Sequence, residues 1–76
     1  MKKCTIQLAS IQDVREFVEI VTMHDVEIDL TSGRYIVDAK SIMGIFSLDL
    51  MQPIGMIIHS DDCADILDAL SKFIVK

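Results

Sequence analysis

The chain reads as an α+β domain, a four-stranded antiparallel sheet with three helices on one face, ordered β-α-β-β-α-β-α. Three observations predict this. The spacing of apolar residues switches from alternation to the helical period of about 3.6 residues and back again. A "SG" pair separates two β-rich runs, the mark of a hairpin. A helix also parts the first strand from that hairpin, so the strands outnumber what one helix could cover. One sheet covered on a single side satisfies all three. Its other side is left to solvent, where Glu27, Asp29 and Asp38 can lie.

Each element has its own signal. Residues 2–8 alternate around Thr5, Ile6 and Leu8 and form the first strand. "SIQDVREFVEIVTM" then puts Ile11, Val14, Phe17, Val18 and Val21 on one helical face. Ser10 followed by Asp13 resembles a capping box with Asp in place of Glu, so the helix starts near residue 11. In "VEIDLTSGRYIVDA", Val26, Ile28 and Leu30 alternate with Glu27 and Asp29, and Tyr35 to Val37 return as the second arm of the hairpin. "PIGMIIH" is a strand opened by Pro53, at a position where a missing N–H is tolerated. Finally Cys63, Ile66, Leu67, Leu70, Phe73 and Ile74 make a helical stripe behind "SDD", whose carboxylates suit a helix N-terminus.

Composition narrows the class. The 76 residues are expected to form one domain, 1–76, near the lower size at which a core holds without staples. With 7 basic and 12 acidic residues the net charge is -5, and the cations are scattered. That disfavours nucleic acid, which needs clustered cations. No apolar run approaches the roughly 20 residues of a membrane span. Thr5 and Gln7 interrupt what would be the apolar part of a leader, so a cytoplasmic protein is expected. Cys4 and Cys63 lack the paired spacing of a metal site and read as small core residues. No metal or cofactor is expected.

The search for catalytic chemistry is negative. His24 lies beside Asp25 at the end of the first helix, where a cation is favoured, and His59 ends a strand before Ser60 and Asp61. The acid pairs Asp61–Asp62 and Asp65–Asp68 read as solvated helix charges. There is no Gly-rich phosphate loop, GxSxG or HExxH. A non-enzyme is expected.

The element order and several strings resemble HPr, the small phosphocarrier of the bacterial sugar phosphotransferase system, along nearly the whole chain. "FVEIVTMHDVEIDLTSG" is similar to that family's helix-to-hairpin passage, and "ILDALSKFI" to its last helix. "VDAKSIMGIFSLDL" resembles the regulatory segment, in which "AKS" leads into a short helix and a leucine pair. The resemblance implies an HPr-like open-faced β-sandwich. One departure stands out. The family carries its phosphate on a histidine in a loop reading roughly Leu-His-Thr-Arg-Pro, and here that place holds "LASIQDVREF". Ser10 lies closest to the lost histidine, and Arg15 is one turn too far along the helix to be assumed a phosphate clamp. A phosphoserine ester also transfers its phosphoryl group far less readily than a phosphohistidine. Ser10 therefore reads as a helix cap.

What the resemblance preserves is the serine at the head of the short helix, Ser41. As an N-cap it needs no further role. The same place suits a phosphoryl group, and in HPr the matching serine is phosphorylated by a dedicated kinase. Judged by the family's buried positions, Ile45, Leu48 and Leu50 point into the core, while Ile42, Met43 and Phe46 share an outer face. In the family these positions touch enzyme I, the kinase and a transcriptional partner. Two functions follow as expectations. One is a non-catalytic regulator or adaptor that binds a protein through Ile42, Met43 and Phe46, switched at Ser41. The other is a working phosphocarrier using His24 or His59. The apolar face could equally make a homodimer.

Overall fold

The computed structural model describes residues 1–75 and contains the expected architecture. The strands are β1 (Lys2–Ile6), β2 (Ile28–Ser32), β3 (Tyr35–Asp38) and β4 (Ile54–Ile58), and the helices are α1 (Ile11–Met23), α2 (Ile42–Phe46) and α3 (Ala64–Ala69). A 3-10 turn, Ser71–Phe73, follows α3. The sheet is wholly antiparallel, in the order β1-β4-β2-β3.

Register decides which residues meet. Ile6 lies opposite Ile54 and Cys4 opposite Met56, while Met56 also faces Leu30, which in turn faces Val37. These residues share one side of the sheet. Ile6, Ile54, Met56, Ile58, Ile28 and Leu30 on that side are buried beneath Val14, Phe17 and Val21 of α1, Ile45 of α2 and Ile66 and Leu70 behind them. The rings of Phe17 and Phe73 meet edge-on with centroids 5.9 Å apart, locking the last turn onto α1. No polar side chain is buried among the described residues, so the core depends on apolar packing alone. The residues between, Lys3, Thr5, Asp29, Thr31, Ile36 and Asp38, fall on the open side.

Local chemistry fixes the ends. Ser10 caps α1, its Oγ accepting from the Asp13 N–H at 3.2 Å. The Asp13 carboxylate reaches back to the Ala9 N–H at 2.9 Å, one residue earlier than in a standard capping box. The hairpin turns at Gly33, whose φ of +59° is the left-handed value a tight β2–β3 turn requires at its first position.

Four expectations need correction. Ile11 is not on the buried stripe of α1 but 63% exposed. The last stripe is not one helix: α3 stops at Ala69, and the backbone tightens through the 3-10 turn so that Ile74 can bridge Ile6. Leu50, expected in the core, is only half-buried against it. Ile42, expected on the outer face, is likewise half-buried and packs on the core. No helix among the described residues is long and apolar enough to cross a membrane.

Candidate protein-binding face beside Ser41

The segment between β3 and α2 is held by its own backbone. The Ser41 N–H donates to the Asp38 carbonyl at 3.0 Å, and the Lys40 N–H donates to Asp38 Oδ1 at 2.8 Å. Ser41 Oγ accepts from the Gly44 N–H at 3.2 Å, and the Ser41 carbonyl accepts the N–H of Ile45 at 3.0 Å. Ser41 is thus a full N-cap with an exposed hydroxyl. Gly44 lets the short helix sit close: a Cβ there would lie 3.0 Å from Ser41 Oγ and 3.3 Å from Val37 Cβ. At the other end Ser47 Oγ donates to the Gly44 carbonyl at 2.6 Å.

This frame presents Met43, 77% exposed, and Phe46, 40% exposed, outward from α2. Ile42 contributes the half of its side chain that the core does not take. Two further apolar residues, Ile11 and Met51, prove exposed. Gln7 Nε2 donates to the Leu50 carbonyl at 3.1 Å, tying the segment that enters α1 to the segment that leaves α2. Exposed Ile11 and Met51 sit on those two joined segments. Ile11 was hidden by its helical spacing, which is identical to that of a core residue. Met51 carried no signal at all.

The histidines lie at the other end of the molecule from Ser10. His24 is the C-cap of α1 and Ser10 its N-cap. At 1.5 Å per residue the helix separates them by roughly 20 Å. His59 follows Ile58, which pairs with Lys2, whereas Ser10 follows the Ile6 end of the same strand. His59 Nε2 instead stands 2.9 Å from Asp29 Oδ2 on the open side of the sheet. Arg15 is exposed one turn into α1. Neither histidine joins it. Lys72, at the last turn, pairs with Glu16 of α1. No cluster of three His, Cys, Asp or Glu gathers among the described residues.

Against solved structures, this arrangement matches HPr-C-His from Thermoanaerobacter tengcongensis, with a TM-score of 0.79 and 28% identity over 95% of this chain and 89% of that one. The chain has the HPr fold. A phosphocarrier protein HPr from Bacillus anthracis str. Ames superposes with a TM-score of 0.73 and 23% identity, covering 97% of this chain and 96% of that one. No family model matches the chain, and no curated protein matches it by sequence. In this chain α2 is capped by Ser41, and the β1–α1 connection, residues 7–10, holds no histidine.

Proposed function

We propose that this protein is an HPr-type regulator or adaptor, without phosphoryl-transfer chemistry of its own, that binds a protein partner through Ile42, Met43 and Phe46. The observation that carries this reading is the pair of exposed apolar side chains, Met43 and Phe46, on a short helix rigidly capped at both ends. Clustered exposed apolar groups on a small domain suit a partner surface. Ser41 borders them, and phosphorylation there adds about two negative charges beside the contact. That switches affinity without refolding the helix. The role is that of a carrier-fold protein rather than an enzyme, acting in the cytoplasm of a bacterium.

The test is affinity isolation from the native cytoplasm with wild type and Met43→Asp side by side, followed by measurement of the captured partner's affinity. Retention of the same partner by both would remove this reading. The second reading, phosphoryl carriage on His24 or His59, draws support from neighbours that are themselves phosphocarriers. It is weakened by the distance of both histidines from Arg15 and Ser10. Incubation with enzyme I and phosphoenolpyruvate distinguishes the two: the expected result is no acid-labile phosphate, and its appearance on either histidine would establish the second.

A further inference from the structure

The two edges of the sheet are not alike. The β1 edge is covered: the Gln7 N–H donates to the Phe73 carbonyl at 2.8 Å and the Val75 N–H to the Thr5 carbonyl at 2.8 Å. Among the described residues the β3 edge carries no further strand. Its outward groups follow from the register. The Ala39 N–H donates to the Ile28 carbonyl at 3.0 Å, so residue 39 bonds inward. In an antiparallel ladder inward and outward groups alternate. Val37 and Tyr35 therefore bond to β2, while Ile36 and Asp38 direct their N–H groups away from the sheet. The Asp38 carbonyl is taken by the Ser41 N–H, but the Ile36 N–H and C=O have no such partner among the described residues.

The side chains along this edge are chemically lopsided. Ile36 is 68% exposed on the open side of the sheet and Tyr35 is 71% exposed. Asp38 lies directly opposite Asp29, a like-charge pair that disfavours the hairpin. Asp29 has His59 against it, whereas Asp38 has no cation within ion-pair distance among the described residues. Arg34, at the turn, has no carboxylate there either.

We propose that β3 pairs with the β3 of a second copy of this chain, antiparallel about a two-fold axis at Ile36, to form a continuous sheet across the dimer. This register is selected by charge. With Ile36 opposite Ile36 of the other copy, Arg34 falls opposite Asp38 in both directions, so each unmatched charge meets its complement. Moving the axis toward residue 38 brings the two Asp38 carboxylates together, and moving it toward residue 34 does the same to the two guanidinium groups. The backbone agrees with the charges. Each Ile36 N–H meets the other copy's Ile36 carbonyl, and each Asp38 N–H meets an Arg34 carbonyl. This is strand addition to an open edge, with the chain itself as its own partner. The surface is separate from the Met43 face and does not rest on the function proposed above.

An edge this short buries little area, so the expected Kd lies between about 10 µM and 1 mM. The test is sedimentation equilibrium of the full chain up to about 1 mM in low salt, with urea unfolding of each variant as a check on folding. Arg34→Glu and Asp38→Lys should each weaken association at least about tenfold, and the double exchange should restore it. Ile36→Pro removes the outward N–H without touching the β2 ladder, and should give a folded monomer. Met43→Asp should leave the dimer unchanged. In the wild type the Ile36 amide should exchange more slowly with deuterium as protein concentration rises. A monomer throughout the range, association unaffected by Arg34→Glu, or failure of the double exchange to restore it would each overturn the proposal.

Discussion

Gly55 shows how much one atom can decide. A Cβ at position 55 would collide with Thr31 Oγ1 on the neighbouring strand. Gly55→Ala is expected to cost about 1–3 kcal/mol, and markedly less in a Thr31→Ala background, because the second substitution removes the colliding atom. Urea unfolding of the four variants in the cycle reads that coupling. Cys4 gives a pH signature. Burial pushes its thiol above the ordinary value, outweighing the opposing effect of Lys2. The folded state therefore holds this proton more tightly than the unfolded chain does. Stability is intact below the ordinary thiol pKa of roughly 8.5 and falls as pH rises through the folded value. The wild type should lose more stability than Cys4→Ala between neutral and alkaline pH. Parallel curves would show that Cys4 does not titrate in this way.

At the scale of elements, α2 and the last turn differ in what their apolar residues do. Leu70 is fully buried, and Leu70→Ala should cost about 2–5 kcal/mol through the cavity it leaves. Met43 is exposed, so Met43→Ala should leave thermal unfolding nearly unchanged while weakening the partner complex. Phe46, less exposed, should cost roughly 2 kcal/mol or more of binding if it anchors the contact. Loss of stability by both variants, with binding untouched, would make these residues part of the core and end the adaptor reading. Ser41→Ala isolates the cap: about 0.5–2 kcal/mol of stability depends on its hydroxyl.

Across the whole molecule, the sheet divides the protein into a packed side and an open side, and chemistry is distributed accordingly. The packed side ends in the Ser41 helix. The open side carries the His59–Asp29 pair and the unmatched charges of Arg34 and Asp38. The Ser10 end has no histidine, and His24 and His59 lie at the far ends of α1 and β4 from it. The expected absence of label from phosphoenolpyruvate tests the molecule as a whole rather than any one residue.

The sequence by itself determined the element order, the α1 cap at Ser10, the hairpin and the N-cap role of Ser41. These depend on periods and on side chains reaching only three residues along the chain. Two strands, α1 and most of the core were legible for the same reason. Only the tertiary structure decided that Ile11 is exposed, that Ile42 is half-buried and that Ile74 bridges Ile6 beyond a broken helix. An apolar residue at the correct period buries only if something lies opposite it, and the period does not say whether anything does. The neighbours of a charge are equally silent in sequence. That Asp29 has His59 against it depends on register between segments thirty residues apart.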